Sequence, residues 1–210
     1  MPPTPEIKPR ETNFWLLKLV PPVRFGLWLT GAVIFAAVLT PYLLLEAFAG
    51  DNRSDAIDLD VALFFATLFA YIVPVHHLIV QRSLKALEQL RPGLAGAPGL
   101  ADKTAKRLVR KTPANQVPAV AVGLAGGIRH TSLIRGAEGL EGAQPGSLLN
   151  VAVTIAIWVV MTATISSLIE NALVFRALTR RVQFDVLETR LLTPFGTVAV
   201  SSTLALIGAQ

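Results

Sequence analysis

The chain contains no cysteine, which removes disulfides, thiolate metal sites and cysteine nucleophiles together. It is also poor in charge: only 16% of its 210 residues are Asp, Glu, Lys or Arg, against about a quarter in an ordinary soluble domain. Histidine occurs three times. Two of the three, His76 and His77, are adjacent, and neighbours on a helix point about 100° apart, so they do not share one metal ion. His130 stands alone in a stretch that reads as a loop. No metal site and no cofactor is expected, and no nucleophile, base and orienting group stand at a legible spacing. The sequence therefore leans away from an enzyme.

Apolar residues make up 52% of the chain, and the mean hydropathy is +0.55. They are concentrated in long runs, the pattern of a membrane protein. The longest run dominates the chain. It opens at Leu148 and closes on Arg176, Arg180 and Arg181, and it exceeds the roughly 30 Å of a bilayer's hydrocarbon core at 1.5 Å rise per residue.

The rest of the chain is read around that helix. Residues 1–24 form a proline-rich, mildly basic amino-terminal segment. Within it, Phe14 to Leu17 beside Lys18 suit the headgroup region or a tail without fixed structure. Residues 25–49 are the first span, with Trp28 and Tyr42 placed as interfacial aromatics and Pro41 as an internal kink. Ala47-Phe48-Ala49 resembles a signal-peptidase site, but the apolar run is too long for a secretory leader, so an uncleaved span is expected. The acidic stretch 50–60 reads as a solvated external loop, since it lacks the glycine and terminal glutamate of a calcium loop. Residues 61–80 are the second span. Leu84, Leu87 and Leu90 continue its helical spacing to Arg91-Pro92, so 25–91 forms a helical pair.

Residues 92–147 read as a basic cytoplasmic segment. A short helix from Asp102, as N-cap, to Thr112 carries Lys103, Lys106, Arg107, Arg110 and Lys111, and it is expected to lie on anionic headgroups. The piece 117–128, VPAVAVGLAGGI, is short for a span and fits a re-entrant or interfacial element. Its Gly123 and Gly127 form a GxxxG pair that lets another helix approach closely. Residues 129–147 read as a loop, 148–182 as the long membrane helix, and 183–210 as a connector with the start of a further span. The chain stops inside that apolar run and reads as a fragment of a longer protein.

Orientation follows from the cations. With the amino terminus inside and 117–128 crossing with its flanks, sixteen of the 19 Lys and Arg residues are cytoplasmic, leaving Arg53, Arg129 and Arg135 outside. Without that crossing, the division is 14 inside to 5 outside. Both satisfy the positive-inside rule, the first more fully. The net charge of +5 is explained in this way, and with no accompanying motif no nucleic-acid partner is expected.

The connector RRVQFDVLETRLLTPFG, through Phe184, Asp185, Val186, Leu187, Leu191, Leu192, Pro194 and Phe195, resembles one found in uncharacterised multi-pass bacterial inner-membrane proteins. There a long basic-ended helix leads through a hydrophobic-Asp-Leu element into the next span. The resemblance covers residues 180–196 alone. It implies architecture: two spans, a cytoplasmic helical segment, then more spans. It departs from the pattern after Phe195, where a basic start to the next helix is expected, and it carries no activity.

One polar feature lies on the long helix. Thr162, Ser166 and Glu170 recur every four residues and form a narrow stripe, which Asn171 and Ser167 widen. An ionisable residue in a span marks an ion or proton pathway by default. The structural alternative has Glu170 near the cytoplasmic end, paired with a basic residue. His76 and His77, near the end of the second span, are interfacial candidates. The expected fold is all-α and polytopic, with three to five membrane helices and a cytoplasmic helical segment. The expected role is a non-enzymatic sensory-input or scaffold module, partnered by the bilayer and by a second copy or another membrane protein. The alternative is a transporter or channel part that uses Glu170.

Overall fold

The computed structural model describes residues 12–23, 25–49, 59–94, 99–135 and 145–179, with isolated helical positions from 193 to 203. The described residues are all-α. In chain order they form α1 (Trp15–Lys18), α2 (Gly26–Ala49), α3 (Leu59–Leu90), a 3-10 turn (Arg91–Leu94), α4 (Leu100–Val109), α5 (Pro113–Arg135) and α6 (Pro145–Thr179). Three of these, α2, α3 and α6, are long and apolar enough to cross a membrane. The acidic stretch 50–58 and the connector 180–192 with its resemblance lie outside the described residues, as does most of the terminal apolar run.

Two compact units can be distinguished. One comprises residues 1–27, 73–112 and 166–210, the other 28–72 and 113–165. Each of the two longest helices contributes a part to each unit.

α2 is apolar on every side, and Trp28 and Phe48 are 82% and 83% exposed. A helix that presents apolar side chains all round is matched to lipid rather than water. Thr30 and Tyr42 are buried, and the Tyr42 hydroxyl donates to Asn150 Oδ1 of α6 at 2.9 Å.

α3 is organised differently. Ala62, Ala66, Phe69, Val73, His76, Val80, Ser83, Leu87 and Leu90 are all buried. Their spacing alternates strictly between four and three, the heptad seam of a helix that packs along one face. The continuation of α3 past the apolar run to Leu90 agrees with the leucine spacing in the sequence.

α4 is amphipathic. Ala101, Thr104, Leu108 and Val109 are buried, while Lys103, Lys106, Arg107 and Arg110 are exposed. Its start differs from expectation. The N-cap is Gly99 at φ 80°, with no side-chain capping bond, and Asp102 instead accepts from Arg91 Nη2 at 2.6 Å. A nearby guanidinium competes successfully for a carboxylate that would otherwise turn back onto the backbone.

The segment before α2 also departs from the reading of a headgroup anchor or loose tail. Phe14, Leu16 and Leu17 are each 1% exposed, so the segment is core. Thr12 Oγ1 donates to the Val109 carbonyl at 2.8 Å, which anchors it to the end of α4. Apolar residues beside a lysine look the same in sequence whether they enter lipid or protein, and the tertiary partner decides.

In the second unit, α5 is a helix of 23 residues, not a twelve-residue piece, and it includes Arg129 to Arg135, expected as loop. Thr131 and Ser132 satisfy their hydroxyls on the carbonyls four residues back, both at 2.8 Å, so polar side chains there do not interrupt the helix. α6 likewise begins earlier than expected, at Pro145, a favoured residue for the first turn.

The GxxxG pair contacts α6. A Cβ at Gly123 would fall 2.6 Å from Val159 Cα, and one at Gly127 would fall 2.8 Å from Ile155 Cα. Two backbones meet where only hydrogen fits. Moving four residues along α5 moves four residues the opposite way along α6, so the pair is antiparallel. His130 is not in a loop: its ring lies 5.7 Å from that of Trp158.

Candidate functional site

The polar side chains of the first unit converge on Lys111. This residue is the middle one of the three-residue link, Arg110 to Thr112, between α4 and α5. Its backbone is clamped by Asn13, whose Oδ1 accepts from the Lys111 N–H and whose Nδ2 donates to the Lys111 carbonyl, both at 2.7 Å. With the backbone fixed on both sides, the side chain is directed inward, and Lys111 is only 2% exposed. Its Nζ donates to Asn171 Oδ1 at 2.7 Å and to the Ser167 carbonyl at 3.4 Å, and it lies 3.5 Å from Glu170 Oε2. An ammonium has three donors, and these three acceptors answer them. Burial lowers the Lys111 pKa from its ordinary 10.5, while the charge and hydrogen bond of Glu170 act to raise it. Desolvation is the larger effect, because a charged amine leaves water almost entirely and its carboxylate partner is only partly buried.

One turn away, His76 Nε2 is 3.0 Å from Ser167 Oγ. The His76 ring also meets Phe14 edge-on at 5.2 Å between centroids. Its Nδ1 has no hydrogen-bond partner, and neither has Asn171 Nδ2 or Ser83 Oγ. Ser167 and His76 are a nucleophile and a base at bonding distance, but no acceptor orients Nδ1 and the hydroxyl is buried. The pair lacks the third member and the open face that acyl transfer requires. His77 turns to a different side, as the 100° step demands, and its Nε2 lies 3.1 Å from the Gln81 amide nitrogen. Among the described residues, no group of three or more His, Asp or Glu side chains is placed to hold a metal ion.

The expected stripe of Thr162, Ser166 and Glu170 is corrected in phase. The buried stripe of α6 runs through Ala163, Ser167, Asn171, Phe175 and Leu178, one residue further along. Thr162 belongs to the other unit, donates to the Trp158 carbonyl at 2.8 Å and faces Gly123. Ser166 is half-buried beside the stripe. Glu170 and Asn171 do come together with a basic residue. That residue is Lys111, about sixty positions earlier, rather than Arg176 on the same helix. Sequence reasoning assigned Lys111 to the exposed cationic face of α4. The signal that separates it is geometric: Lys111 lies past the last turn of α4, where the helical period no longer fixes its direction.

No family model, curated protein or solved structure matches the chain. Its class rests on its own architecture: the described residues are all-α, and three of their helices are long and apolar enough to cross a membrane.

Proposed function

We propose that this chain is a non-enzymatic integral membrane module of a bacterial inner membrane, a sensory-input or scaffold element with a cytoplasmic amino terminus. Lys111 carries the proposal. Four separate segments (Thr12 to Leu17, the seam of α3, the α4–α5 link and α6) are joined through one buried polar cluster. A cluster that spends every lysine donor internally favours a fixed joint over a passage for ions. The clamp from Asn13 fixes that joint in register.

The orientation draws on the cation count and on α5. At 23 residues and 1.5 Å rise, α5 is about 34 Å long, enough for a crossing. It runs antiparallel to the apolar part of α6, and its Gly face is fitted to that helix. With α5 as a fourth crossing, sixteen of the 19 cations are cytoplasmic, as the positive-inside rule favours. The bacterial inner membrane is carried by the resemblance of residues 180–196 alone.

A second reading, a proton- or ion-conducting part, draws on a different observation. The Glu170 side chain is 20% exposed, and buried His76 and Asn171 atoms nearby lack partners. One experiment separates the two. The full chain and Glu170→Gln are reconstituted in vesicles containing a pH-sensitive dye, and proton flux is recorded under an imposed gradient. A module gives identical traces for both. Flux that is present in the natural chain and lost in the variant would overturn it.

A further inference from the structure

Lys111 is 2% exposed, yet both of its chain neighbours, Arg110 and Thr112, are exposed. The link is not helical: Arg110 stands at φ −98° and ψ 112°, extended backbone. A side chain on a short extended link changes direction by rotation about a few backbone bonds, with no helix unwound. Two directions are therefore open to this lysine, inward to Asn171 and outward to water. An ammonium that leaves the interior regains its hydration, and the desolvation of a buried pair can match what the pair gains. The inward direction thus depends on what holds the link.

The amino-terminal segment holds it. Asn13 makes both backbone bonds to Lys111 at 2.7 Å, and Thr12 donates to the Val109 carbonyl at 2.8 Å. Phe14, Leu16 and Leu17 seat the same segment in the core of this unit. Lys111 therefore stands between two distant parts of the chain. Asn13 grips its backbone, and Asn171 of α6 accepts from its side chain at 2.7 Å.

We propose that Lys111 is a latch that couples the amino-terminal segment to α6. With Thr12 to Leu17 seated, the link is clamped and the ammonium holds Asn171, the Ser167 carbonyl and Glu170. When the segment leaves, the clamp is lost, Lys111 turns outward, and α6 loses its tie to the link between α4 and α5. Coupling between two sites is reciprocal, so a change at Asn171 loosens the amino-terminal segment in turn. The latch rests on the module reading, and it adds the device by which a displacement at the amino terminus reaches a membrane helix.

The test uses the full chain in detergent, and its first part needs no variant. The Lys111 N–H donates to Asn13 Oδ1, and the Leu17 N–H donates to the Phe14 carbonyl. In native-state hydrogen exchange these two amides should open together, at lower denaturant than the amides of Val80 to Leu87 on α3. Separate openings, or openings only at global unfolding, overturn the latch. Acetylation resolved by mass spectrometry then reads the lysine itself. In the natural chain Lys111 should react at least tenfold more slowly than the exposed Lys103 and Lys106. Asn13→Ala and Asn171→Ala should each raise the Lys111 rate by tenfold or more and leave Lys103 and Lys106 unchanged. Asn171→Ala should also speed exchange at Leu17. An unchanged Lys111 rate in either variant overturns the proposal, as does an unchanged Leu17 rate in Asn171→Ala. No proton gradient enters these measurements, so the latch and the module reading fail by separate results.

Discussion

Lys111 Nζ lies 3.5 Å from Glu170 Oε2, with the lysine 2% exposed and the carboxylate side chain 20% exposed. The two partners are unequal. Glu170 keeps some access to solvent, whereas Lys111 depends wholly on its protein acceptors. Loss of either partner is thus not symmetric in its effect.

Glu170→Gln leaves a buried ammonium held by Asn171 and the Ser167 carbonyl. Breaking a buried pair costs about 3–5 kcal/mol, and the lower end is expected here because Glu170 is partly solvated. Lys111→Met strands only an exposed-edge carboxylate but removes the donor to Asn171, so about 2–3 kcal/mol is expected. The double variant Lys111→Met with Glu170→Gln should recover much of the loss. Denaturant unfolding of all four proteins closes the cycle, and strictly additive losses would show that the pair is not coupled.

The pH dependence follows from the lowered Lys111 pKa. Folded, this lysine gives up its proton below the ordinary 10.5; unfolded, it keeps the proton up to that value. Between the two, the unfolded chain binds more protons, so stability rises with pH. That contribution is complete above 10.5 and is lost as pH falls through the folded value. The difference in unfolding midpoint between the natural chain and Lys111→Met, followed from neutral to alkaline pH, should move in favour of the natural chain. A flat difference would show that burial does not shift the amine.

Gly127→Ala and Gly123→Ala should each destabilise by about 1–3 kcal/mol, the range for forcing a methyl into a packed contact. The added carbon would meet Ile155 or Val159 backbone, at 2.8 and 2.6 Å, and backbone cannot swing aside. Ala125→Leu, on an exposed face of the same helix, is the control and should be tolerated. Thermal unfolding in detergent reads all three.

Tyr42→Phe removes a single hydroxyl that donates to Asn150 Oδ1. Hydrogen bonds between membrane helices average about 0.6 kcal/mol, so a loss of that order is expected. Asn150→Ala combined with Tyr42→Phe should cost little more than the worse single change.

The helices themselves were legible because each obeys a rule local in sequence. α2 and α6 are long apolar runs, and the leucines after Val80 carry α3 to Leu90 on spacing alone. The basic residues after Asp102 mark a helix over 102–112, and the structure places it at Leu100–Val109 with Gly99 rather than Asp102 as its cap. α5 runs past its apolar piece because Arg129 to Ser132, loop-like in sequence, stay helical: the Thr131 and Ser132 hydroxyls turn back to carbonyls, and the His130 ring rests near Trp158. The GxxxG spacing implies a close helix contact, and only packing decides that its partner is α6.

Sequence by itself determined that this is an all-α protein with helices able to cross a membrane, because apolar length and charge placement act locally and need no fold. Tertiary structure alone decided the phase of α6 and the fate of Lys111. An apolar helix gives no periodic signal to say which side is buried, so of the five polar positions that the sequence offers, the cluster takes Ser167, Glu170 and Asn171 and leaves Thr162 and Ser166 beside it. Lys111 was turned inward by Asn13, nearly a hundred residues earlier. An interaction between positions so distant in the chain depends on packing, and no local pattern records it.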